Sequence, residues 1–158
     1  MAIKKLIQPV QLKAFNLVTG EQRTVADKAY VPLPGPSDRF AVSGGRVVWF
    51  GANQPAPFTL HVTDLQTGAV RTLALPDPPE NPMDLAVFGN LVIWLDEYWH
   101  GYDVRSDAYF SVPVFPPGWE KAGVDEHKFE GFDGRTLTWA LKIGGQWHTF
   151  QADLVRAP

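Results

Sequence analysis

The chain has 158 residues, 45% of them hydrophobic and 20% charged, with a net charge of -3. That length supports one ordinary core or a few small repeated units, and without a run of basic residues there is no electrostatic footprint for nucleic acid. No cysteine occurs, which excludes disulfides, thiol nucleophiles and thiolate metal sites.

Residues 1–10 read as an N-terminal arm and 11–158 as a single β-repeat domain. Lys4-Lys5 makes a small basic flank, but Gln8, Pro9, Gln11 and Lys13 break up the apolar residues after it. Neither a signal peptide nor a membrane span is expected, which favours a cytoplasmic or assembly-associated protein. From Gln11 to Leu17 the chain alternates, Val18-Thr19-Gly20-Glu21 makes a turn, and Gln22 to Ala26 continues as a strand, so 11–27 is predicted to be a hairpin.

A motif then occurs three times: Ala41-Val42-Ser43-Gly44-Gly45-Arg46-Val47-Val48-Trp49, Ala86-Val87-Phe88-Gly89-Asn90-Leu91-Val92-Ile93-Trp94 and Gly131-Phe132-Asp133-Gly134-Arg135-Thr136-Leu137-Thr138-Trp139. Its glycines (Gly44, Gly89, Gly134) and its tryptophans recur every 45 residues, the mark of a repeat architecture. Each copy reads as strand, tight turn, strand. The turn of the first hairpin, Asn16-Leu17-Val18-Thr19-Gly20, is echoed by Asp64-Leu65-Gln66-Thr67-Gly68 and by Asp103-Val104-Arg105-Ser106-Asp107, and Asp153-Leu154 begins a further copy. The recurring Asn or Asp is expected to accept backbone hydrogen bonds in the turn. Gly20 and Gly68 suit positive φ, which Asp107 tolerates at some cost.

Joined, the two patterns give a unit of four strands, A to D. Unit one, 38–75, has strands near 39–43, 46–52, 58–65 and 69–75; unit two, 84–115, has them near 84–88, 91–97, 99–104 and 108–114. Unit three, 128–155, has strands near 128–132, 135–142 and 146–154 and no D, while the hairpin is a C and a D without an A or B. Proline clusters at 31–36, 76–82 and 116–117 mark loops between sheets. No helix is predicted beyond one turn at 119–128.

In strand B, Val47 and Trp49 share one face, as do Val92 and Trp94, and Leu137 and Trp139; Val48, Ile93 and Thr138 take the other. Strands apolar on both faces belong to sheets stacked between other sheets, and radial stacking of four-stranded sheets makes a propeller. Trp49, Trp94 and Trp139 are therefore expected in the structural core.

An apolar strand, Gly, a basic or Asn residue, an apolar run ending in Trp, and then an Asp-Leu-x-Thr-Gly turn together resemble a blade of the TolB-like, WD-like β-propeller repeat family, best over 38–75. The resemblance implies blades of four antiparallel strands and says little about function, since such repeats occur in periplasmic accessory proteins, beside peptidases and in uncharacterised proteins. It also implies six or seven blades, whereas this chain has about three with incomplete ends. Such ends expose unpaired edges, so a homo-oligomer, dimer or trimer, is expected, the hairpin completing a blade of its partner. The alternative is a compact monomer whose hairpin pads strand C of the last unit.

One segment is chemically dense: Asp96-Glu97-Tyr98-Trp99-His100-Gly101-Tyr102. Tyr98, Trp99, His100 and Tyr102, with Trp119 of a proline loop, are the candidate binding residues for a glycan or peptide. Asp96 and Glu97 point apart if they lie in a strand and are poorly placed for glycoside hydrolysis. Asp125-Glu126-His127 cannot converge on one ion from a strand, and His61, His100 and His148 lack zinc spacing. No metal or cofactor is expected, and no nucleic-acid or membrane partner. No nucleophile elbow, P-loop, dinucleotide fingerprint or calcium loop occurs, and no serine stands in an activating motif. The chain reads as a non-catalytic structural or protein–protein interaction scaffold, suited to a larger assembly, that assembles through incomplete β-blades. A glycan- or peptide-binding module is the alternative.

Overall fold

The computed structural model describes residues 10–29, 40–51, 58–79, 82–119 and 123–154; most of the arm and the 31–36 loop lie outside them. Strands β1 (Val10–Phe15) and β2 (Gln22–Ala29) form the predicted hairpin. Unit one contains β3 (Phe40–Ser43), β4 (Arg46–Gly51), β5 (Thr59–Asp64) and β6 (Val70–Thr72). Unit two contains β7 (Met83–Phe88), β8 (Leu91–Leu95), β9 (Trp99–Asp103) and β10 (Ala108–Val112). Unit three contains β11 (Val124–Phe132), β12 (Thr136–Ile143) and β13 (Gln146–Asp153). β11 starts earlier than expected and takes up residues assigned to a helical turn, because Glu126 and Lys128 face Lys142 and Ala140 in the β12 ladder.

The fold is all-β, with three separate antiparallel sheets of six, four and three strands. The expected propeller narrows to this: among the described residues nothing closes the sheets into a ring. The first sheet has six strands because the hairpin joins unit one through a single pair, Ala29 beside Gly51, past the end of β3. Within this chain the hairpin pairs with unit one, so the alternative in which it pads strand C of the last unit is corrected. Gly51 suits this crowded spot, where an added Cβ would stand 2.6 Å from Thr59 Oγ1 and 2.7 Å from His61 Nε2.

Three apolar clusters follow one another along the chain. Val25, Ala26, Ala29, Val47 and Trp49 pack between hairpin and unit one. Val48, Phe50, Leu60, Val62, Leu85, Val92 and Trp94 pack between units one and two. Ile93, Leu95, Trp99, Leu137, Trp139 and Leu141 pack between units two and three. Strand alternation produces this order, since β4 and β8 each send alternate residues to opposite neighbours. Each fully buried large side chain contributes about 1.5–3 kcal/mol.

The three tryptophans occupy one place in three similar sheets. Opposite them across the ladder stand His61, His100 and Phe150. The rings of Trp49 and His61 stack at 4.2 Å, and those of Trp94 and His100 at 5.5 Å. Trp139 and Phe150 lie 5.9 Å apart and tilted.

The outer face of unit three differs from every face turned inward. It carries the cross-strand pairs Lys142–Trp147, Ala140–Thr149 and Thr138–Gln151. Lys142 Nζ lies 2.6 Å from Glu126 Oε1 and 5.9 Å above the Trp147 ring. A polar outer face of this kind suits the end of a stack of repeats.

Candidate functional site

The dense segment enters β9 through a tight turn, and alternation then divides it. Trp99 turns toward unit three, 5.6 Å from Phe129 and 6.2 Å from Trp139. His100 and Tyr102 turn toward unit one, and the His100 Nδ1 lies 2.5 Å from the Tyr109 hydroxyl. Trp99, His100 and Tyr102 are 1%, 5% and 3% exposed, whereas Tyr98, in the turn, is 50% exposed. Burial holds His100 below its ordinary pKa, against the opposing pull of Asp77 and Asp96. Trp119 packs on His148 and Phe150, at 4.9 and 5.6 Å. Tyr98 and His100 stand edge to face at 6.3 Å, but Trp99 and Trp119 lie on the unit-three side, so the five predicted binding residues do not converge on one exposed surface.

The Asp125-Glu126-His127 run also disperses. Asp125 accepts the Gly145 N–H, Glu126 pairs with Lys142, and His127 Nε2 lies 3.3 Å from Asp84 Oδ2. Among the described residues no cluster of three His, Asp or Glu side chains is arranged to hold a metal ion.

The recurring Asn and Asp residues build the turns. The Oδ1 of Asn16 accepts from the N–H groups of Val18 and Thr19, that of Asp64 from Gln66 and Thr67, and that of Asp103 from Arg105 and Ser106. The Asp64 and Asp103 turns each offer a carbonyl to the unit before them. Arg23 on β2 donates to Leu65 O at 3.0 Å, and Arg71 on β6 donates to Val104 O at 2.8 Å.

At the junction of units one and two this clamp is elaborated. Arg71 also pairs with Asp107, which accepts the Tyr102 hydroxyl at 2.6 Å. The Tyr102 and Arg71 hydrogen bonds hold the Asp107 carboxyl below its usual range, while burial and then Asp107 push Tyr102 up. Asp107 takes the strained φ of 56°, where Gly20 and Gly68 have 76° and 77°; its two partners explain why a carboxylate stands there. Arg46 adds a second clamp, 2.7 Å from Asn90 Oδ1 and 3.3 Å from Gly89 O.

At the junction of units two and three the same positions carry different chemistry. Leu91 stands for Arg46, Phe110 for Arg71 and Phe88 for Ser43. Phe110 folds over Gly101, where an added Cβ would meet its ring at 1.9 Å. Phe88 lies over Gly134 and edge-to-face against Phe132 at 6.5 Å. None of the three side chains can donate a hydrogen bond. A cleft of about 690 Å³ opens there, walled by Phe88, Leu91 and Phe110, with Asp103, Asp153 and Leu154 also lining it. That volume falls within the range of small-ligand sites. Sequence reasoning missed the cleft, although one signal was present: seven residues after the recurring Asn or Asp stand Arg23, Arg71 and Phe110.

No family model matches the chain, and no curated protein matches it. Among solved structures, TolB from Acinetobacter baumannii aligns with a TM-score of 0.54 at 13% identity, over 89% of this chain and 34% of that one. A puromycin hydrolase aligns with a TM-score of 0.48 at 14% identity, over 84% of this chain and 22% of that one. The chain thus spans about a third of the TolB structure or less than a quarter of the hydrolase, and it is similar to TolB in its β-sheet fold, at a distant level.

Proposed function

We propose that the chain is a non-catalytic protein–protein interaction module of blade-like β units, which assembles through the open edge of unit three. The observation that carries this reading is the pairing of strand C. β5 lies between β4 and β6, and β9 between β8 and β10, whereas the eight-residue β13 pairs only with β12 among the described residues. Leu154 N–H bonds back to Arg135 O. Alternation in an antiparallel ladder then turns the N–H and C=O groups of Trp147, Thr149, Gln151 and Asp153 to the open side. An unpaired edge of this length is a template for another strand.

A second copy is the proposed occupant. Two β13 strands paired about a dyad would join two three-stranded sheets into one. The polar outer face of unit three favours this edge-to-edge route over face-to-face stacking. The non-catalytic part of the reading is supported by the use of Asp64, Asp103 and Asp133 to hold backbone N–H groups.

Sedimentation velocity across protein concentration tests the proposal. The wild-type chain is expected to self-associate. Gln151→Pro, which removes an outward N–H, is expected to be monomeric with an unchanged circular dichroism spectrum. A wild-type protein that stays monomeric throughout would overturn it. The second reading, a module for a glycan or peptide, is favoured by the cleft between units two and three and the half-exposed Tyr98.

A further inference from the structure

We infer that the cleft between units two and three receives the guanidinium of an arginine presented by a partner protein or peptide. The molecule displays the required interaction twice within itself. At each of the first two junctions an arginine crosses from strand D to the carbonyl that comes after the recurring Asn or Asp, Arg23 to Leu65 and Arg71 to Val104. At the third, the receiving turn begins with Asp153-Leu154, but the donor position holds Phe110. Leu154 stands at the receiving position and lines the cleft, while the donating position holds a ring.

The walls match the rest of an arginine. Phe88, Leu91 and Phe110 offer apolar surface to a methylene stem. Aromatic faces also attract a planar cation, and guanidinium more than ammonium. Asp103, on the face of β9 that turns toward unit three, brings negative charge to the cleft, and a guanidinium is attracted by a nearby carboxylate. The Asp153 carboxylate is bonded to Thr136 Oγ1 on the outer face of unit three and takes no part. At the junction of units one and two the equivalent space is crossed by Arg46 and Arg71, so the chain's own residues occupy there what the third junction leaves open.

The test is titration of isotope-labelled protein with N-acetyl-argininamide, followed by amide chemical shifts. Saturable shifts confined to Asn90, Ser106, Phe110 and Leu154 are expected. N-acetyl-norleucinamide, with a similar stem and no charge, is expected to bind at least about fivefold more weakly. Phe110→Arg, which restores the internal donor, should abolish the response. Asp103→Asn, which removes the charge and keeps the turn-holding Oδ1 that Asn16 supplies in the hairpin, should weaken it several-fold and serves if Phe110→Arg does not fold. Absence of saturable shifts, equal binding of the uncharged probe, or an undiminished response in a folded Phe110→Arg or Asp103→Asn protein would overturn the proposal. The end of β13 adjoins the cleft, so the titration is repeated in Gln151→Pro, where the edge is blocked; a retained response there separates this outcome from self-association.

Discussion

The junction between units one and two and the junction between units two and three are built on the same ladder positions with opposite chemistry. Both bury a tryptophan of strand B, Trp94 in one and Trp139 in the other. Around the first, Arg46 and Arg71 reach across to backbone carbonyls and to Asp107. Around the second, Leu91 and Phe110 stop short and leave a cleft. A repeat fixes where a side chain begins and toward which neighbour it points. Whether it closes the junction depends on the residue placed there.

The largest effects should be equal on the two sides. Trp94→Ala and Trp139→Ala each remove a buried indole from the centre of a junction, and each should cost about 3–5 kcal/mol in denaturant unfolding. A clear gap between the two would break the claim that their cores are equivalent.

Glycine substitutions should separate the junctions. Gly89→Ala and Gly134→Ala both force a side chain onto positive φ, 59° and 93°. Nothing lies near the Gly89 position, whereas the new methyl at Gly134 would meet Phe88 at 2.3 Å. Gly89→Ala should cost about 1 kcal/mol, and Gly134→Ala about 2–3 kcal/mol with displacement of the Phe88 ring. Equal costs would mean that Phe88 already turns aside.

The arginine clamp of the first junction should contribute less. Arg71 and Asp107 are 48% and 59% exposed, so solvent screens them. Arg71→Met should lower Tm by roughly a degree or two, and the difference should shrink in high salt. The corresponding change at the second junction, Phe110→Met, should show no salt dependence.

The smallest effect is one of pH. His127 on β11 reaches across the second junction to Asp84 on β7, and their contact raises its pKa above the ordinary 6.5. The pair's contribution is full below pH 6.5 and disappears as pH rises through the raised value. His61 and His100 behave oppositely, because burial lowers both. Their contribution is full above pH 6.5 and declines as pH falls toward their depressed values. His127→Asn should therefore flatten the loss of stability on the alkaline side of 6.5 and leave the acid side unchanged.

Much of the fold was legible because it rests on local signals. The spacing of Gly44, Gly89 and Gly134 marks the A–B turns, and Asp107 was recognisable as a residue asked to take positive φ. The course of the hairpin was not legible, since one rung beside Gly51 decides it and no local pattern encodes that pair. The segment 98–102 drew attention as an aromatic cluster, but alternation turns Trp99 one way and His100 and Tyr102 the other. Unit two has neighbours on both sides, so both sets are buried. The cross-strand partners of the tryptophans, His61, His100 and Phe150, each stand three residues before a recurring Asp, a regularity that acquires meaning only once the ladder register is known. The cleft needed one step more: the substitution of Phe110 for arginine is visible in the chain, but its consequence depends on which turn lies across the junction.

The single rung between Ala29 and Gly51 has a mechanical consequence. Pulled from its amino end, the molecule would yield first at that seam, because β1 and β2 adhere to the rest through side chains and the Arg23 bond rather than through a run of parallel-loaded backbone bonds. The hairpin would come away as one piece, with its own turn intact, and uncover the Trp49 side of unit one.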